Sequence, residues 1–333
     1  MINIENILSV SVILILIYCA VKHIVILSMY PRTRHYKAGT QTDQIPSEDP
    51  TPAQAAFVYF YNKNIMKKDI MPNVIVAMLF DLVKKGCIQM EKENHTITMT
   101  LAKDTDLEIL NEEEQIMFHA LEMHTDKQTR KMTLDQLANY MRKDSIAFGK
   151  TLSNIVIKAK VKAEQDGKYR EKDTLNVEKY ICMAVIYTML GFMSLLFTNV
   201  VVLIAVFNGL LCSLIANRLN NLTLKGMDEK NEWMAVEEYL RTLPHKDVRT
   251  IPSLLDLETY YIYMITFGKE KLMGKTIQTS YPHLVDLPEG QNYTFMHILY
   301  QDSYFLKEIK EQIEDAYQEV YKENKRLAPN MFK

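Results

Sequence analysis

The chain has 333 residues, with 39 Lys and Arg against 41 Asp and Glu, and a formal net charge of −2. That balance argues against a general nucleic-acid binder and against a long acidic or basic disordered chain. Ten Gly and ten Pro also exclude collagen-like or Gly/Pro-rich low-complexity sequence.

The first apolar block runs from Ile7 to Tyr30, interrupted by Lys22 and His23. A lysine near a helix end can carry its ammonium to the membrane interface. No Lys or Arg precedes the block and no A-x-A site follows it, so an uncleaved anchor is expected rather than a signal peptide. Residues 36–50 are polar and Pro-bearing, which reads as a linker.

Thr51-Pro52 predicts an N-cap with proline at the first helical position, opening a helix over Pro52–Asn62. A second helix is expected from Met71 to Lys85, closed by Gly86. The alternating run that follows predicts a β-hairpin of Cys87–Lys92 and Thr96–Leu101, turning near Glu93-Asn94. Helices followed by two strands suggest a winged helix. Its second helix is apolar nearly all round, the mark of burial rather than of reading base edges. Residues 32–179 carry 23 Lys and Arg against 22 Asp and Glu, so nucleic acid is not an expected partner.

Leu110–His124 predicts a helix capped by Asn111, with Glu112, Glu113 and Glu114 complementing its N-terminal dipole. Past the polar loop DKQTRK, Thr133-Leu134 opens a helix to Arg142, and Ser145–Glu164 forms another. The Lys158, Lys160 and Lys162 series reads as a solvated face.

Tyr180 to Asn217 is uncharged over 38 residues. A single helix of that length would be roughly 57 Å long, about twice a hydrocarbon core. Two spans, Tyr180–Phe197 and Val200–Asn217, with a turn at Thr198-Asn199, fit better. Folding there sets Thr188 level with Asn208, which predicts an interhelical hydrogen bond between them, with Gly209 and Gly191 easing close approach. Arg and Lys flank one side of all three spans, placing the N-terminus outside and the C-terminus in the cytoplasm.

After the hairpin, a helix over Glu229–Thr242 carries the sole tryptophan, Trp233. Ser253–Lys275 is a further helical candidate, with Tyr260, Tyr261 and Tyr263 read as either interface belt or core. Phe305–Tyr321 repeats apolar residues at helical spacing, an amphipathic helix that docks on the cytoplasmic domain or on a partner. Cys19, Cys87, Cys182 and Cys212 contain no C-x-x-C and are expected to be reduced structural thiols.

No Walker A, G-x-G-x-x-G or G-x-S-x-G pattern occurs. His119 and His124 are five apart, about 140° around a helix, and do not suit one metal. The site candidates are therefore structural: Asn208, Thr188, Gly209, Gly191 and Trp233. No catalytic residue, cofactor or metal is expected, and the chain is not read as an enzyme.

The segments PTPAQAAFVYFYN, AMLFDLVKKGCIQM, NEEEQIMFHAL, LTLKGMDEKNEWMAVEEYLRTLP and LETYYIYMITFGKEKLMGKTIQ, with the paired spans, resemble a bacterial family of multi-pass membrane proteins of unknown function, called YciQ-like. The resemblance covers about residues 50–283. It implies no catalytic residues. The family commonly carries a large extracytoplasmic β-rich domain before its first span, and this sequence departs from that pattern.

The expected fold is a mainly α membrane protein: three transmembrane helices with winged-helix-like α+β cytoplasmic units. The expected division is a transmembrane anchor (1–31), a linker (32–50), a winged-helix-like unit (51–108), a second helical, winged-helix-like unit (109–178), a transmembrane hairpin (179–218) and a cytoplasmic helical region with an amphipathic C-terminal helix (219–333). The location is the bacterial cytoplasmic membrane. The expected role is a protein-interaction scaffold or signalling component, with lipid bilayer and protein partners or self-association. The alternatives are an accessory component of a transport system and a membrane-tethered transcription regulator.

Overall fold

The structure is a computed structural model that describes residues 4–29, 40–46, 50–61, 63–93, 96–103, 105–169, 174–194, 199–218, 222–242, 254–273 and 304–327. It is mainly helical, with one three-stranded sheet. Two compact units form, Met1–His35 with Lys168–Met227, and Tyr36–Gly167 with Asp228–Lys333.

The first unit is a helix bundle of α1 (Ile4–Met29), α7 (Thr174–Ser194) and α8 (Asn199–Arg218). Leu16, Tyr187, Leu211 and Ile215 are buried in it, yet many of its large apolar side chains are exposed. Ala184, Ala205, Cys212, His23 and Asn208 are buried, whereas Ile15, Tyr18, Met189, Phe192, Leu203 and Leu210 are exposed. By length and composition, Val10–Ser28 can cross a membrane; α8 carries a shorter apolar stretch, Val200–Ala216. Asn199 is the first residue of α8 rather than part of a turn, and Thr198 lies outside the described residues. Tyr169 bridges Leu222, and the Lys168 carbonyl accepts from the Thr223 N–H at 3.0 Å. A Cβ at Gly226 would come within 2.2 Å of that carbonyl, so only glycine fits there.

The second unit begins with α2 (Pro52–Tyr59). Its capping box is complete: Thr51 Oγ1 accepts from the Gln54 N–H, and Gln54 Oε1 from the Thr51 N–H. The helix ends before the expected Asn62, because Phe60 leaves helical geometry and the chain turns as the Lys63 N–H reaches the Phe60 carbonyl. Asn62 itself lies outside the described residues. Helix α3 (Met71–Lys84) is buried at every position from Met71 to Val83 except Asn73, as its apolar circumference requires. Gly86, with φ 71°, terminates it.

Strands β1 (Ile88–Glu93) and β2 (Thr96–Leu101) pair antiparallel, with Ile88 opposite Leu101 and Met90 opposite Met99. The inward residues Ile88, Met90, Ile97, Met99 and Leu101 are buried, the two-residue alternation of a half-buried sheet. The expected turn residue Asn94 lies outside the described residues. A third strand, β3 (Lys131–Thr133), pairs with β2 through Met132 opposite Met99. It arises where a polar loop was expected. The Asp126 carboxylate folds that loop by accepting from the Gln128 and Thr129 N–H groups, and Arg130 turns with φ 53°. Residues 109–133 are thereby tied to the sheet of the preceding segment.

Helices α4 (Glu112–Glu122), α5 (Leu134–Lys143) and α6 (Ser145–Gln165) follow. Helix α9 (Leu224–Thr242) starts five residues before the expected Glu229, because Thr223 Oγ1 accepts from the Gly226 N–H. Helix α10 (Leu254–Thr266) stops well short of Lys275, and Gly268 takes φ 69° just past its end. Tyr260, Tyr261 and Tyr263 are all buried. The Tyr260 hydroxyl donates to the Asp43 carbonyl and the Tyr263 hydroxyl to the Pro50 carbonyl. The three tyrosines therefore belong to the core of this unit.

The last helix, α11 (Phe305–Leu327), docks in cis against α3, α5 and α6. Phe305, Leu306, Ile309, Ile313, Ala316, Tyr317 and Val320 are all buried. At roughly 1.5 to 3 kcal/mol for each large apolar side chain, this face alone holds the helix in place. Arg142 pairs with Asp315 at 2.6 Å, and Lys92 with Glu308 at 2.8 Å. Residues from Ala53 to Val320 share one apolar cluster.

Candidate functional site

The bundle of α1, α7 and α8 holds a buried polar cluster. Asn208 is fully buried on α8 and faces α1. Its Nδ2 donates to the Ile204 carbonyl at 2.9 Å and to the Leu16 carbonyl at 3.1 Å. Two carbonyl acceptors fix the amide so that Oδ1 points the other way, to His23 Nδ1 at 3.1 Å. An amide oxygen only accepts, so Nδ1 carries the proton and His23 donates. Leu16 and His23 lie seven apart on α1 and share the face turned toward α8.

Cys212, one turn beyond Asn208, completes the cluster. Its Sγ lies 3.6 Å from His23 Nε2 and 3.8 Å from Nδ1. Near-equal distances place the sulfur against the ring rather than in line with the Nε2 lone pair. This is a packing contact, not the alignment a thiol nucleophile needs from its base. Tyr180 and Tyr187 of α7 approach the same imidazole edge-on, at 6.2 and 5.8 Å between centroids. Every polar atom of the Asn208 side chain is thus satisfied inside the bundle, as an apolar solvent demands. The cluster ties α1 to α8 by hydrogen bonds and to α7 by ring contacts.

The expected Asn208–Thr188 hydrogen bond does not form. Thr188 Oγ1 donates to the Ala184 carbonyl of its own helix at 2.8 Å, the back-bond available to a helical threonine. Asn208 turns to α1 instead, a helix that the folding of the hairpin alone did not bring into consideration. Gly209 and Gly191 leave little room for a side chain. A Cβ at Gly209 would lie 3.1 Å from Thr188 Oγ1 and 3.3 Å from the Ala184 carbonyl, and one at Gly191 would lie 3.2 Å from Val206 Cγ2. Both sit at the close approach of α7 and α8. Sequence reasoning missed His23, Leu16 and Cys212. The signal was present: Leu16, Cys19 and His23 recur at helical spacing, and a histidine inside an apolar run needs a partner.

Trp233 is fully buried in the second unit, with its ring 4.5 Å from Tyr263 and 5.4 Å from Phe267 between centroids. Its Nε1 has no hydrogen-bond partner among the described residues. Tyr59 stacks on Phe267 at 4.1 Å and donates to Glu237 at 3.1 Å. Burial, then the Glu237 charge, raises the Tyr59 pKa.

The three carboxylates in the first turn of α4 each have a different partner. Glu112 pairs with Lys158 at 2.6 Å, Glu113 accepts from Gln54 at 3.0 Å, and Glu114 pairs with Lys85 at 2.7 Å. Glu114 also closes the capping box by accepting from the Asn111 N–H at 2.9 Å. Glu113 is 2% exposed, and burial raises its pKa against the lowering effect of Gln54. His119 and His124 diverge: His119 faces Glu122 at 3.5 Å, and His124 stacks on Tyr140 at 3.4 Å. Among the described residues no group of three His, Cys, Asp or Glu side chains is placed to hold a metal ion.

A family model described as the C-terminal domain of predicted membrane proteins of the DUF2207 type matches residues 35–277. The match ends before α11. No curated protein and no solved structure matches the chain.

Proposed function

The chain belongs to the DUF2207 family of predicted membrane proteins, and on that premise we propose that it is a three-span protein holding an interaction module at the cytoplasmic face. The carrying observation is the number of large apolar side chains that α1, α7 and α8 leave exposed around a buried, paired polar cluster. In water such a surface would be a severe aggregation liability; in lipid it is the expected arrangement.

The direction of the helices supports the one-sided topology. Leu16 meets Asn208, and His23, seven residues later, meets Asn208 and Cys212, so α1 and α8 run parallel. Gly191 meets Val202 to Val206 and Ala184 meets Gly209, so α7 runs antiparallel to α8. The C-terminal ends of α1 and α8 and the N-terminal end of α7 therefore share one end of the bundle. The chain passes between the two units three times. In the sequence, Lys and Arg at 32, 34, 37, 218 and 225 follow or close α1 and α8, and those at 168, 170, 172 and 179 precede or open α7, a pattern that the positive-inside rule reads as cytoplasmic.

The second unit we read as a winged-helix-like scaffold for protein partners. Its acidic triplet is engaged in folding contacts with Lys158, Gln54 and Lys85, which favours a docking role over catalysis. Photo-crosslinking from positions on the exposed face of α6, such as Ile157, in intact cells tests this. One or two reproducible adducts are expected; a diffuse smear equal to that of an unrelated membrane-anchored domain would contradict it.

A further inference from the structure

We infer that the groove walled by α3, α5 and α6 is a receptor for an amphipathic helix, and that it accepts α11 from a second copy of this chain as well as from its own. One face of α11 fills the groove. Phe305, Ile309, Ile313, Ala316, Tyr317 and Val320 are each at most 1% exposed, and their spacing of three and four residues is that of a helix laid in a groove. Phe305 meets Phe80 of α3 edge-on at 6.5 Å between centroids, and the Tyr317 hydroxyl donates to the Met66 carbonyl.

Charges at the rim are complementary and set the direction and register. Lys92 pairs with Glu308 at 2.8 Å, Glu270 with Lys310 at 2.6 Å and Arg142 with Asp315 at 2.6 Å. Near the end of the helix Asn324 donates to the Ser145 carbonyl at 2.8 Å. The apolar spacing and the charge pattern that the groove selects are therefore those of α11 itself, which names a second copy as the source of a matching helix.

Three features make α11 a separable occupant. It is joined to no strand of the sheet, so it enters or leaves the groove as a unit. The family model covers α3, α5 and α6 and stops at residue 277, so the groove lies within the matched module and the helix outside it. Thirty residues, 274–303, separate Met273 from Tyr304, against about two to eight in common helix connections. A connection of that length reaches at most about 100 Å, far beyond the roughly 35 Å length of α11. Exchange of an identical element between copies needs no new interface, because each contact made within one chain is remade between two.

Four single-cysteine chains test this, each lacking Cys19, Cys87, Cys182 and Cys212: Lys92→Cys and Arg142→Cys in the groove, Glu308→Cys and Asp315→Cys on the helix. One groove variant and one helix variant, with different tags, are expressed in the same cells and treated with a short bismaleimide in detergent. Covalent dimer carrying both tags is then measured. The matched combinations, Lys92→Cys with Glu308→Cys and Arg142→Cys with Asp315→Cys, should exceed the two mismatched combinations at least about fivefold, since seven residues shift the helix cysteine by about 10 Å. A single chain carrying Arg142→Cys and Asp315→Cys reports docking within one copy. Closure inside that chain with no dimer from the matched combinations overturns the inference. Equal yields from matched and mismatched combinations, the mark of random collision, overturn it as well. Absence of closure even inside the single chain removes the docked geometry and the inference with it. The readout lies wholly within the second unit, so this inference and the membrane reading fail separately.

Discussion

The side-chain amide of Asn324 lies directly over Gly149, where a Cβ would come within 2.4 Å of its Nδ2, Cγ and Oδ1. The same amide donates to the Ser145 carbonyl at 2.8 Å and the Val320 carbonyl at 2.9 Å. The missing side chain at one helix position therefore admits a polar clasp from another helix. Gly149→Ala should lower stability by roughly 1 to 3 kcal/mol through overpacking. Limited proteolysis should then release α11 first. Adding Asn324→Ala should recover part of the loss; no recovery would show that Gly149 matters for some reason other than this contact.

Glu113 makes a pH prediction. Burial raises its folded pKa above the ordinary carboxylate value, so the folded state holds the proton more tightly than the unfolded chain. Its contribution is most favourable below the unfolded pKa and is lost as pH rises through the raised folded value. Glu113→Gln should therefore stabilise the protein at neutral pH, since a glutamine oxygen can still accept from Gln54. Urea denaturation across pH 4 to 8 checks the sign. A destabilised variant at neutral pH would contradict it.

In the bundle, Asn208→Ala removes both the Leu16 and His23 contacts and should weaken α1 association by about 1 kcal/mol. Thr188→Val should change little, because Thr188 bonds within its own helix. Disulfide trapping of α1 against α8 in detergent, read as a trapped fraction, separates the two variants. Equal effects would mean that the interhelical bond between α7 and α8 forms after all.

Gly209→Leu should push α7 from α8, because even a Cβ there meets Thr188 Oγ1 at 3.1 Å and the Ala184 carbonyl at 3.3 Å. Accelerated cysteine labelling at buried Cys212, measured by mass shift with a small lipid-soluble maleimide, is the expected consequence. Wild-type labelling kinetics would show that the close approach is not required.

Local signals in the sequence were clear where one residue type has one physical use. Thr51 with Pro52, Asn111 with its acidic first turn, and Thr133 with Leu134 announced three helix starts, and the structure adds the capping partners Gln54, Glu114 and Gln136. The apolar circumference of α3 announced burial, and the period of Phe305 to Val320 announced α11. Strand β3 was not legible, since three residues carry too little alternation to register and its pairing with β2 is a property of the assembled sheet. Within the candidate site, Asn208, Gly209 and Gly191 were found because amides and glycines stand out in an apolar run. The partner was misassigned because a hydrogen bond between helices 185 positions apart depends on bundle geometry, not on hairpin register.

The central claim is that lipid surrounds α1, α7 and α8, with the second unit on the cytoplasmic side. A chain lacking Cys19, Cys87, Cys182 and Cys212 and bearing one new cysteine at Lys37, Asn199 or Lys225 tests it with a membrane-impermeant maleimide on intact cells. Labelling of Asn199→Cys before permeabilisation, and of Lys37→Cys and Lys225→Cys only afterwards, is the result expected. Labelling of either lysine-site cysteine in intact cells, or a chain that stays monodisperse without detergent, would contradict it.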